Sequence, residues 1–254
     1  MLWLERDNIL FALVDTRPTD FKGMNQMVRT ALRDASKRPL IIVFPELVFG
    51  GQAVERNATE EWIKKVYPQL EKHGNAHIFF SVLENLAPIN KRVSPQNTGY
   101  LIGPRLRNKK NKRHMYWKRY VKIGDTVSSG LKRRILRLKK VRNERFAHGF
   151  KRVPQYVFPS TIINGKRVEL RVCSDSGLPS YRKSEVIVIP ARGLEVSSRS
   201  ETLNALTQNG FAIVHDIRWP EKPKTTILKK NQKVEVKPSK TPPHSKPKQG
   251  PWRR

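Results

Sequence analysis

Cysteine is almost absent from this 254-residue chain: there is one, Cys173. A lone cysteine excludes an internal disulfide, so nothing here asks for an oxidising compartment. Long apolar runs are absent too. Ile9–Val14 is closed by Asp15, and Leu40–Phe44 is closed by Pro45 and Glu46. Both fall far short of the roughly 20 apolar residues that span a bilayer. The start, Met1-Leu2-Trp3-Leu4-Glu5-Arg6-Asp7, has no basic n-region and carries acids where a signal peptide is apolar. A cytoplasmic protein is the expectation. Acidic residues are scarce: 21 Asp+Glu stand against 51 Lys+Arg, a formal charge of +30. Apolar residues make up 37%, enough for an ordered domain at this length.

The excess charge is segregated. Residues 101–153 hold 19 basic and 2 acidic residues, and residues 219–254 hold 11 and 2. These two segments carry nearly all of the excess. The second, with prolines at 220, 223, 238, 242, 243, 247 and 251 among lysines, cannot bury enough apolar surface to offset its ordering entropy. It reads as a mostly disordered tail after a domain at 1–218, with disorder expected over 237–254. Thr225–Leu228 and Lys233–Val236 have the composition of short edge strands. In the first segment, Leu131, Ile135, Leu138 and Val141 recur at helical spacing among arginines and lysines, predicting a basic amphipathic helix. That helix suits a lid with its charges in water, an anionic membrane surface or a nucleic-acid backbone.

The body alternates strands and helices. Apolar runs predict strands at 9–14, 40–44, 78–83, 98–102, 114–121, 168–173, 186–189 and 211–214. Helical periodicity predicts helices at 23–37, 60–73 and 199–208, with Pro68 a potential kink in the second. Strands interleaved with helices point to an α/β layered domain.

Three short contexts carry chemistry: Phe44-Pro45-Glu46, Tyr116-Trp117-Lys118-Arg119 and Val172-Cys173-Ser174-Asp175. Each sets a reactive side chain in, or just past, a strand-like run, and in open α/β sheets ligands bind beyond the carboxyl ends of strands. Singly, each has an ordinary alternative. Glu46 is a loop acid, Lys118 part of a basic face, Cys173 a small buried hydrophobe. Together, a base, a cation and a thiol suffice to attack an amide carbon through a thioester. No His/Cys cluster has metal-ligand spacing and no Gly-rich phosphate loop is present, so neither metal nor cofactor is expected.

The order of these contexts resembles the carbon–nitrogen hydrolase (nitrilase) superfamily over roughly residues 8–216. Ile41–Leu47 is similar to that family's strand ending in Phe-Pro-Glu. Asn97–Pro104 resembles the hairpin leading to its lysine, Tyr116–Val121 its lysine motif, and Cys173-Ser174-Asp175 with Pro179 its nucleophile motif. The resemblance implies an αββα sandwich with reduced C-terminal strands and a basic insert at about 104–153. It implies an amide- or carbamoyl-cleaving hydrolase in which Glu46 is general base, Cys173 nucleophile, and Lys118 with the Ser174 N–H the oxyanion donors. Asp125 is a candidate second pocket acid, or else a helix cap. A homodimer is also implied, as is a small amide-type substrate. The sequence departs from the family's pattern at Ser174, Gly177 and Ser180, positions that shape the pocket floor. Two alternatives stay open: a weakly active scaffold whose work is binding polyanions, and an N-acyltransferase.

Overall fold

In the computed structural model the described residues are 1–85, 95–107, 114–121, 158–178, 180–192, 200–217, 223–230 and 232–243. Asp125, the basic helix expected over 131–142 and residues 244–254 lie outside them. Two sheets stack face to face. The first holds β1 (Leu2–Arg6), β2 (Ile9–Leu13), β3 (Leu40–Val43), β5 (Ala76–Asn85), β6 (Gln96–Arg107) and β7 (His114–Val121) in that spatial order, with β4 (Ala53–Glu55) also paired to β5. The second runs β13 (Gln232–Val236), β12 (Lys224–Lys229), β11 (Leu206–Asp216), β10 (Ser184–Ala191), β9 (Lys166–Leu170), β8 (Ser160–Ile163). Helices α1 (Phe21–Ala35) and α2 (Arg56–His73) cover the outer face of the first sheet, and α3 (Ser200–Ala205) packs on β11.

Period-two alternation creates these layers. On β3, Leu40 and Ile42 face the helices, while Ile41 and Val43 face the second sheet. One register row crosses the first sheet as Leu13, Val43, Phe79, Leu101 and position 118. Its first four members are buried against the second sheet's Leu170, Val188 and Ile213. Strands β2, β3 and β5 are parallel, as are β9, β10 and β11. Their carboxyl ends meet, because His215 at the end of β11 bonds to the Val14 carbonyl just past β2 at 3.0 Å. The end of the sandwich nearest Val14 therefore collects chain from both sheets.

Several boundaries move relative to the sequence reading. Helix α2 runs unbroken through Pro68. Its inner face, Trp62, Ile63, Val66 and Leu70, is buried, while Pro68 and Lys64 are exposed, so water can satisfy the carbonyl the proline leaves without a donor. Asp20 caps α1, its carboxylate accepting from Gly23 N at 2.7 Å. The strand expected to run to Cys173 stops at Leu170, and Cys173 instead opens a 3-10 turn, Cys173–Gly177. The hairpin before it turns on Asn164 and Gly165, both left-handed at φ 49° and 76°. Beyond 218, where the sequence reading closed the domain, β12 and β13 continue the second sheet, and Ser239 pairs with Trp3 of β1. The short edge strands expected at Thr225–Leu228 and Lys233–Val236 form an antiparallel hairpin within the lysine- and proline-rich segment. No helix among the described residues is long and apolar enough to cross a membrane.

Candidate active site

Glu46 leaves the sheet three residues past β3 and is only 3% exposed. Pro45 ends the strand, and the backbone then turns sharply. Leu47 takes φ 52°, a left-handed conformation that costs a non-glycine residue roughly 1–2 kcal/mol. The turn is held on β5: Phe44 N donates to Phe79 O at 2.9 Å, Leu47 N to Ser81 Oγ at 3.0 Å and Val48 N to Ser81 O at 2.9 Å. The carboxylate is oriented from β6, where Asn97 Nδ2 donates to Oε1 at 3.0 Å. A buried carboxylate so fixed can accept a proton without reorganising.

Cys173 leaves the second sheet three residues past β9. Arg171 N donates to Val188 O at 3.0 Å, carrying the ladder with β10 one residue past β9, and Asp175 N closes on Val172 O at 3.0 Å. Cys173 itself has φ 45° and is 9% exposed. Strand, strained residue and tight turn hold the thiol at a bend, and the N–H groups of the turn's first residues, Ser174 among them, have no intrahelical acceptor.

A charged clamp sits under this bend. The Arg171 side chain is fully buried; its Nε donates to Glu169 Oε1 at 2.8 Å, and its Nη1 to the carbonyls of Ser176 at 3.2 Å and Leu178 at 2.9 Å. Its guanidinium stacks on Phe158, 4.6 Å from the ring centre. Glu169 Oε2 accepts from Ser180 and Ser184, each at 3.1 Å, and Thr202 Oγ1 donates to Ser176 O at 2.5 Å. The 3-10 turn is thus tied to β9, β10 and α3. Glu169 on β9 and Arg171 just past it, two apart among apolar neighbours, are a period-two signal outside the short motifs.

Glu46 and Cys173 both emerge at the end of the sandwich fixed by the Val14–His215 contact. Position 118 is mid-strand on β7, opposite Leu101, as the fifth member of the row that contains Val43. Among the described residues, no group of His, Cys, Asp and Glu is arranged to hold a metal ion.

Solved structures with this architecture include those of an amidase from Nesterenkonia. One crystal structure matches with a TM-score of 0.56 at 14% identity, over 94% of this chain and 90% of that one. The fold is that of the nitrilase superfamily. A cysteine-to-alanine mutant of the same amidase, solved with butyramide, matches with a TM-score of 0.55 at 14% identity over 91% and 88% of the two chains. A glutamate-to-leucine mutant of that amidase carries the acetamide moiety of fluoroacetamide on its active-site cysteine, with a TM-score of 0.54 at 14% identity over 91% and 88%. No family model matches this sequence, and no curated protein sequence does.

Proposed function

We propose that this protein hydrolyses a non-peptide carbon–nitrogen bond, of amide or carbamoyl type, through a Cys173 thioester. The observation that carries the reading is the backbone of Cys173. The chain's sole thiol occupies a left-handed conformation three residues past a parallel strand, at the sandwich end where the buried, hydrogen-bonded Glu46 emerges. Strain of this kind, costing about 1–3 kcal/mol, persists where surrounding structure imposes it, and such residues concentrate at active sites. The related fold of an amidase that binds butyramide supports the same substrate class.

In this mechanism Glu46 takes the thiol proton and the sulfur attacks the carbonyl carbon. The oxyanion is met by the Lys118 ammonium and the Ser174 N–H. Collapse expels the amine, which receives the proton from Glu46 and leaves a thioester. Glu46 then removes a proton from water, hydroxide adds to the thioester carbon, and the acid departs as the proton returns to sulfur. An amine in place of that water makes the same site an acyltransferase. Cys173→Ala is expected to abolish ammonia release from simple amides while leaving the thermal transition near that of the parent. Glu46→Gln should lower kcat by about 10² or more. An active Cys173→Ala protein would sink the reading.

The segregated charge favours a second role, contact with polyanions through residues 101–153 and the tail. Retention on heparin across a salt gradient tests it, comparing the full chain with one ending at 243, so that the Trp3–Ser239 pairing is kept. Salt-labile retention that drops on truncation is the expected result, and elution of both forms at low salt overturns it.

A further inference from the structure

Two arginines stand at the same end of the sandwich as Glu46 and have no part in the chemistry just described. Arg17 follows β2, four residues past Leu13. Arg192 follows β10 immediately, beside the point where Ile217 N bonds to Ala191 O at 3.1 Å. The Arg17 side chain lies across the turn that bears Glu46: its Nη1 is 3.6 Å from where a Cβ on Gly50 would sit. Gly50 N in turn donates to Leu47 O at 2.7 Å. Nε and Nη2 of Arg17 are buried, and neither has a hydrogen-bond partner among the described residues. The nearby Asp15 carboxylate is taken by the terminal amine of Met1. Buried guanidinium donors without acceptors are costly, and a planar fork of N–H groups is the complement of a carboxylate.

Electrostatics locate the partners. Burial lowers the Arg17 pKa, repulsion from Arg192 lowers it further, and attraction to Glu46 offsets part of this. Arg17 thus has Arg192 and the carboxylate that the proposed mechanism reserves as a base within electrostatic reach, and neither supplies an acceptor to its buried Nε and Nη2. Asp15 and Asp216 also stand at this end, beside His215.

We infer that Arg17 and Arg192 form an anion subsite and that the amide cleaved here carries a carboxylate on its acyl or amine portion. This rests on the amidase reading for the reaction, but the subsite can be tested without turnover. The single cysteine gives a direct probe. Iodoacetate and iodoacetamide both alkylate a thiolate, forming a sulfur–carbon bond as iodide leaves, and they differ chiefly in the carboxylate. With a cation pair at the sandwich end from which Cys173 emerges, the ratio of the iodoacetate to the iodoacetamide rate constant should exceed that of glutathione by about tenfold at equal pH and ionic strength, the ratio expected from one modest charge contact. Arg17→Gln should bring the ratio down to the glutathione value. Arg192→Gln, at an exposed position, should lower it part of the way and serves if Arg17→Gln loses its circular dichroism. A ratio equal to that of glutathione, or one unmoved by both substitutions, overturns the subsite. Hydrolysis is scored separately by ammonia release from glutaramate and from uncharged pentanamide. Release from neither, with the alkylation preference intact, defeats the amidase reading and leaves the subsite standing. Faster release from pentanamide defeats the subsite and leaves the amidase.

Discussion

Arg171 is a charged side chain with no exposed surface, beneath the residue on which the proposed chemistry depends. Removing one partner of a buried pair leaves the other charge uncompensated, at a cost of about 3–5 kcal/mol. Arg171→Met should therefore destabilise the protein by that amount in urea denaturation, and Glu169→Gln by less, because Gln still accepts from Arg171 Nε. The double change Arg171→Met, Glu169→Met should cost less than the sum of the single Met variants. Strict additivity would show that the ion pair does not couple the two. The residues proposed to react stand out in the sequence because each lies in a short linear motif. Asn97, Arg17 and Arg171 were not read as site residues, because their roles arise from neighbours across strands and turns. Asn97 reaches Glu46 across 51 positions of chain, a separation at which sequence spacing says nothing.

At the scale of elements, most apolar-strand and amphipathic-helix readings correspond to observed elements. Their ends shifted where tertiary contacts, rather than propensity, decide. Strands β1, β4 and β8 were missed: the first is an edge strand with charged Glu5 and Arg6, and the others are three and four residues long. The pairing of β5 with β6 has a close approach that hydropathy cannot reveal. A Cβ on Gly103 would fall 2.2 Å from Cδ2 and 2.8 Å from Cγ of the buried His77 ring. The whole ring would have to move, so Gly103→Ala should cost about 1–3 kcal/mol. A double-mutant cycle with His77→Ala should recover part of that loss. A thermal transition unchanged by Gly103→Ala would refute the steric account.

For the molecule as a whole, His215 is a buried polar tie between the sheets. A carbonyl can only accept, so Nε2 carries the proton given to Val14 O at 3.0 Å, and Nδ1 is left to accept from Thr225 Oγ1 at 3.2 Å. Burial, the largest influence, lowers the His215 pKa; the bond to Val14 and the nearby Asp15 and Asp216 oppose this, and the amino terminus adds to it. A folded-state pKa below the ordinary 6.5 means that the unfolded chain binds the proton more readily. The stabilisation is then complete above pH 6.5 and is lost as pH falls below that value toward the folded-state pKa. Melting temperature should drop over this interval in the parent, and His215→Gln should flatten the slope there while lowering stability at pH 8.

The pairing of Trp3 with Ser239 joins the outermost strand of one sheet to the chain just beyond the outermost strand of the other, through two backbone bonds of 2.6 and 2.8 Å. The bonded residues stand near opposite extremes of the described chain, so among the contacts of the described residues this seam is one of the last that synthesis can supply. A ribosome-bound chain lacking Ser239 has its first sheet complete in sequence while β1 still offers an unfilled edge. During that interval the edge is open to a neighbouring nascent chain, and the rate at which the last strands emerge sets how long the exposure lasts.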